Sequence, residues 1–219
     1  MNIFDIIGPV MVGPSSSHTA GAVKIGRIAR TLLGEEPSEA VIKLHGSFAK
    51  TYKGHGTVKA LIGGLLGMMQ DDLRIVNSLE IAQEKGLKHS LEKIELKDVH
   101  PNSTVIEAVG KSGGKINILA SSTGGGNIVV RKFNGLDVEF KGAYTTLIVL
   151  HKDVPGAVAS VAKLLADREV NIAHMRVIRA YRGGKAMMVI ETDQPVKKDL
   201  GDIITNIPNI CGVTIVEPL

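Results

Sequence analysis

The last third of the chain constrains its topology most. Between Gly142 and Leu219, strand-like and helix-like segments alternate in one order. Residues 143–150, AYTTLIVL, read as a strand, and Asp153-Val154-Pro155-Gly156 as a turn. Residues 157–169, AVASVAKLLADRE, set Val158, Val161, Leu164 and Leu165 along one helical side. A strand over 170–181, a turn at Arg182-Gly183-Gly184-Lys185, a strand over 186–193, a helix over 196–207 and a strand over 212–218 follow. The order is β-α-β-β-α-β, which specifies the ferredoxin-like arrangement.

Residues 1–141 form a separate α+β unit in which helices come first and strands after. The loop Gly13 to Thr19, GPSSSHT, leads into AGAVKIGRIARTLLG. There Ala22, Ile25, Ala29 and Leu32 recur at helical spacing, with serines as N-caps and Gly34 as a stop. Residues 40–47 read as a strand. KGHGT, Lys53 to Thr57, is expected to open a second helix through Met69, and Ser78 to cap a third to about Lys85. Gly63, Gly64 and Gly67 are costly inside a helix, about 1 kcal/mol each against alanine, so they point to close backbone contact with another element, or else to a loop. From Leu91 the pattern turns to strands: LEKIELK, STVIEAV, KINILASS, NIVVRKF and LDVEF, the last after an Asn134-Gly135 hairpin turn. The expected division is 1–141 and 142–219, joined by a short segment.

Composition excludes several classes. The net charge is +4, but it is nearly balanced on each side of Gly142, and aromatics are 3% of residues. Nucleic-acid binders concentrate basic stripes and add stacking aromatics, so nucleic acid is not the expected partner. No apolar run reaches a membrane span of roughly 18 residues. The opening segment is apolar but short and carries Asp5 with no basic residue, a poor signal peptide. A cytoplasmic location is expected. One cysteine makes no internal disulfide and supplies no cluster or Cys-rich zinc site by itself. Cys211, just ahead of the final strand, is expected to be a small buried hydrophobe.

Local chemistry centres on two histidine motifs. Ser15, Ser16 and Ser17 ahead of a helix supply hydroxyls beside unpaired N–H donors, a cradle for a carboxylate or phosphate, with His18 at its edge. A serine-rich cap with an exposed histidine fits the same residues. His55 lies between Gly54 and Gly56, which permit close approach of a ligand, or form a simple turn. There is no G-x-S-x-G elbow, no P-loop and no H-E-x-x-H. His100-Pro101-Asn102-Ser103 reads as a structural turn, and Gly124-Gly125-Gly126-Asn127 as a flexible loop able to wrap an anion. No metal site is expected within the chain.

Two resemblances add to this. Residues 142–219, with DVPG after the first strand and Val170-Asn171-Ile172 entering the second, resemble the ACT domain, a regulatory module that often binds amino acids at a dimer interface. The matching ligand positions are Asp153, Gly156 and Asn171. The whole chain, through GPSSSHT, GSFAKTYKGHGT, HPNS and STGGGNI, resembles the beta chains of bacterial iron–sulfur-dependent L-serine dehydratases. That resemblance implies a first unit similar to the extra substrate-binding domain of some phosphoglycerate dehydrogenases. It implies conversion of L-serine to pyruvate and ammonia, and a cysteine-containing alpha subunit that holds a [4Fe–4S] cluster. Self-association through the ACT unit is also implied. His18 and His55 become the candidates for the base and for its hydroxyl or carboxylate partner. Which is the base stays open, with the glycines around His55 favouring it. Ser15, Ser16, Ser17 and Thr19 would hold substrate or shape the loop. The competing reading is a non-catalytic amino-acid sensor.

Overall fold

The computed structural model describes residues 10–219, with Lys198 by its backbone alone. The signal-peptide reading of the opening segment falls largely on residues 1–9, outside the described residues. The chain divides into two compact units, Met1–Gly135 and Leu136–Leu219.

In the first unit, a π-helical turn Ser16–Ala20 runs directly into helix α1, Gly21–Leu33. Gly34 ends α1 in the left-handed conformation, its N–H donating to the carbonyls of Arg30 and Thr31, the stop that its position in the sequence predicts. Strand β1 is Pro37–His45. Helix α2, Gly46–His55, and helix α3, Thr57–Leu65, follow, then α4, Ser78–Glu84. The strands β2 (Lys88–Ile94), β3 (Ser103–Gly110), β4 (Lys115–Gly124) and β5 (Asn127–Phe133) complete a sheet of order β2-β1-β3-β4-β5, and β6 (Leu136–Phe140) opens the second unit. Strand β2 is parallel to β1, whereas β1–β3, β3–β4 and β4–β5 are antiparallel. Ile42, Leu44, Ile106, Ile118 and Ala120 are buried in this sheet, and Ala22, Ile25, Ile28 and Ala29 of α1 are fully buried with them.

Of the three expected helical glycines, Gly64 makes the close backbone contact; Gly63 faces the side chains of Ile75 and Met68, and Gly67 lies past the end of α3 at φ +86°. A Cβ on Gly64 would lie 2.1 Å from the Val23 carbonyl oxygen, and one on Gly26 would lie 2.2 Å from that of Leu61. Helices α1 and α3 therefore cross backbone to backbone at this pair. Arg30 of α1 then donates to the Leu65 carbonyl at the end of α3, at 3.0 Å.

Three local expectations need correction. KGHGT does open a helix, but α2 already precedes it and the helix it opens, α3, ends at Leu65 rather than Met69: the segment closes α2 and begins α3, because Gly56 takes φ +66° and breaks the run between them. Ser78 does not cap α4. Asn77 stands at the cap, while the Ser78 hydroxyl is buried and donates to the Lys59 carbonyl at 2.7 Å. GGGN is the turn of the β4–β5 hairpin, with Gly124, Gly125 and Gly126 all at positive φ.

The second unit has strands β7 (Thr145–Lys152), β8 (Ile172–Arg179), β9 (Lys185–Thr192) and β10 (Ile210–Val216), with helices α5 (Ala157–Asp167) and α6 (Lys198–Thr205). The antiparallel order β10-β7-β9-β8 is the ferredoxin-like sheet that the element order specifies. Leu147, Val149, Met188 and Ile190 meet Val161 and Leu165 of α5 and Leu200 and Ile204 of α6 in one core. Cys211 is not buried. The register of β10 shifts between Ile210 and Gly212, and the intervening Cys211 is exposed.

Candidate functional site

GPSSSHT folds as a tight turn because Ser15 is extended and its hydroxyl accepts the His18 N–H at 3.1 Å, the N-cap role expected of a serine. The turn widens to π geometry, a form that recurs at functional sites, with the Gly21 N–H donating to the Ser16 carbonyl. Gly13 is required beside it: a Cβ there would lie 2.6 Å from the Thr19 hydroxyl.

This turn brings His18 to α2. The His18 and His55 rings have centroids 5.0 Å apart, tilted by 34°. The buried Phe48 ring meets His18 edge-on at 5.2 Å. His18 Nε2 lies 3.1 Å from the Ser47 hydroxyl and Nδ1 lies 3.3 Å from that of Ser15. The Thr19 hydroxyl donates to the His55 carbonyl at 3.4 Å, and His55 Nδ1 faces the Thr51 carbonyl at 3.4 Å. Burial first, and then the neighbouring His55, hold the His18 pKa below its ordinary value. His18 is therefore neutral at pH 7, able to accept a proton or donate from one nitrogen.

The two expected histidines and the expected Ser15 and Thr19 thus converge. Ser16 and Ser17 occupy the same turn, both half-buried. Sequence reasoning missed Ser47, Thr51 and Phe48, although they stand in the GSFAKTYKGHGT motif. Their signal was the four-residue spacing of Ser47, Thr51 and His55, which puts all three on one face of a helix. Thr57, the first residue of α3, is fully buried and its hydroxyl has no hydrogen-bond partner among the described residues.

The second unit's candidates fall on two networks. The Asp153 carboxylate accepts from the Gly183 N–H and the Arg179 guanidinium, both at 2.9 Å. Those two bonds, Gly183 first, hold its pKa below the usual carboxylate range. Asp153 lines a shallow cleft of about 370 Å³ with Val154, Pro155, Arg179, Arg182 and Gly183. Gly156, at φ +90°, precedes the first turn of α5. Asn171 bonds elsewhere, its amide donating to Asp193 at 2.6 Å and its N–H to Gln194 at 2.7 Å.

No group of three or more His, Cys, Asp or Glu among the described residues is placed to hold a metal ion. No helix among them is long and apolar enough to cross a membrane.

Comparison with known proteins adds the following. The family model for the serine dehydratase beta chain matches residues 2–95, and that for the ACT domain matches residues 145–209. The chain is 43% identical to the probable L-serine dehydratase beta chain of Bacillus subtilis (strain 168), over 97% of this chain and 96% of that one. It is 37% identical to the L-serine dehydratase beta chain of Peptoniphilus asaccharolyticus, over 98% and 97% of the two chains. It is 26% identical to the D-3-phosphoglycerate dehydrogenase of Bacillus subtilis (strain 168), over 90% of this chain and 37% of the dehydrogenase.

Proposed function

We propose the function from one premise: the chain belongs to the family of L-serine dehydratase beta chains. It is one subunit of an L-serine ammonia-lyase, which converts L-serine to pyruvate and ammonia. A cysteine-containing alpha subunit completes the cytoplasmic enzyme and holds its [4Fe–4S] cluster. The near full-length match to dehydratase beta chains favours this over a free-standing amino-acid sensor.

The residues present do not fit a cluster of this chain's own. Its single cysteine is the exposed Cys211 on β10, in the second unit, and the first unit's histidines stand without thiolates. What this chain brings to the reaction is the chemistry of its own side chains.

The observation that carries the site is the pairing of His18 and His55 at 5.0 Å. The Thr51 carbonyl can only accept, so the His55 Nδ1 that faces it carries the proton. Nε2 of the neutral ring then holds the lone pair, which supports His55 as the base. His55 removes the α-proton of serine, the carbanionic electron pair forms the Cα–Cβ double bond as the Cβ–O bond breaks, and the departing hydroxyl takes up the proton that His55 has gained and leaves as water. The resulting aminoacrylate tautomerises to an imine and hydrolyses to pyruvate and ammonia. His18 is the neutral partner of that base. Ser15 and Thr19 brace the histidines, while Ser16, Ser17 and the N–H groups of the turn receive the substrate carboxylate.

In the second unit, the proposed regulatory amino-acid positions are Asp153, at the cleft with Arg179 and Gly183, together with Gly156 and the separately bonded Asn171, and the unit is proposed to mediate self-association. The functional division lies at 1–141 and 142–219. The test is co-purification with the alpha chain. Cluster absorbance and serine-dependent pyruvate formation are expected of the pair, and no turnover of this chain alone. Full activity without the alpha chain would overturn the assignment.

A further inference from the structure

Ser47 is held from three sides. Its N–H donates to the Pro101 carbonyl at 2.8 Å. Its carbonyl accepts the Thr51 hydroxyl at 2.9 Å. Gly46, at φ +55°, lets the start of α2 descend onto the His100–Ser103 turn, since a Cβ there would lie 2.5 Å from the Pro101 carbonyl oxygen. That turn is itself fixed. The Ser103 hydroxyl bonds the His100 carbonyl and Ser121, the Asn102 N–H donates to His100 Nδ1, and the Asn102 carbonyl accepts the Ser122 N–H. The HPNS segment is the footing of α2.

With its backbone so held, the Ser47 side chain has one defined target, His18 Nε2 at 3.1 Å. On the other edge of the ring, the Ser15 hydroxyl already accepts the His18 N–H and has a second lone pair for Nδ1. A neutral imidazole needs one donor and one acceptor among its partners, and these two hydroxyls supply both.

We infer that Ser47 is a positioning residue for His18: its hydroxyl donates to Nε2, which selects the Nδ1–H tautomer and holds the ring beside His55. The lone pair of His18 is then occupied, and His55 is left as the proton acceptor of the pair. The same face of α2 thus orients both rings, Ser47 directing His18 and Thr51 directing His55.

This inference rests on the dehydratase reading for its kinetic arm; its spectroscopic arm does not. Imidazole ¹⁵N signals of the full chain, with His18 identified by the signals lost in His18→Ala, should show one neutral tautomer protonated at Nδ1. Ser47→Ala and Ser47→Cys should both convert it to a mixture. In the two-chain complex, kcat should fall by roughly 10- to 100-fold in either variant, with KM changed less than about threefold. Ser47→Thr, which keeps the hydroxyl, should restore kcat to within about fivefold of the parent. Should Ser47→Ala fail to fold, Ser47→Cys, nearly equal in volume, decides. An unchanged His18 tautomer in a folded Ser47 variant, or an Nε2–H tautomer in the parent, would overturn the assignment. Absence of serine turnover in the parent complex would instead remove the dehydratase reading, and the ¹⁵N signals would still decide the role of Ser47.

Discussion

His18 is kept neutral by burial and by the His55 ring 5.0 Å away, and this couples the site to pH. The unfolded chain protonates this histidine near its ordinary value of 6.5, whereas the folded chain resists until a lower pH. The unfolded state therefore binds more protons as pH falls, and stability present above that value is lost on acidification. Denaturant midpoints measured from about pH 8 to about pH 5 should fall for the parent chain and fall less for His18→Ala. An identical slope in both would show that His18 carries no part of it. In the assembled enzyme, His55→Ala and His18→Ala should each lower kcat by roughly 10²-fold or more. Near-parent turnover in both would take them out of the catalytic group. Both histidines were readable as candidates from their motifs. Their mutual contact was not, because it arises only when the π turn ahead of α1 and the C-terminal end of α2 are brought together. Ser47 was hidden for the same reason: a serine eight residues ahead of His55 gains meaning only from the Nε2 that faces it.

Helices α1 and α3 carry that placement through the Gly26–Gly64 crossing. A Cβ on Gly64 would meet backbone, the Val23 carbonyl at 2.1 Å, which cannot swing aside as a side chain could. Gly64→Ala should therefore destabilise by about 1–3 kcal/mol, and so lower Tm by roughly 2–4 °C per kcal/mol. Gly54→Ala is the control. Nothing lies within 4 Å of its Cβ position, and alanine favours a helix interior, so it should be neutral or slightly stabilising. Equal melting temperatures for the two variants would refute the close crossing. The elements that periodicity could reveal are the buried amphipathic ones. Helix α1 shows its apolar stripe and its glycine stop, and β3, β4 and β5 show β-branched runs. Helix α2 escaped because its informative face is Ser47, Thr51 and His55, polar residues that give no hydrophobic signal. The boundary at Gly56 escaped because a glycine suits both the end of one helix and a flexible loop, and only its positive φ separates the two. Cys211 misled because a lone free cysteine is commonly a small buried hydrophobe, whereas it falls inside β10 at a register shift and is exposed.

At the scale of the whole molecule, chemistry and regulation are assigned to different units, and a substitution can separate them. Asp153 ties the start of the β7–α5 turn to the β8–β9 turn through the Gly183 N–H and Arg179. Its ionised form is what those donors favour, so removing the charge weakens the clamp without touching His18, His55 or Ser47. Asp153→Asn keeps the shape and one acceptor oxygen but loses the ion pair with Arg179. Reconstituted with the alpha chain, this variant should retain kcat at saturating serine to within about twofold, since no group at the reacting carbon has changed. The response of the enzyme to added amino acids, or the self-association of the second unit measured by light scattering, should shift instead. That pattern follows if the carboxylate acts on the ligand-facing turn of the ferredoxin-like unit alone. A loss of kcat as deep as that of His55→Ala, with assembly and amino-acid response intact, would place Asp153 with the chemistry and dissolve the division of labour between the two units.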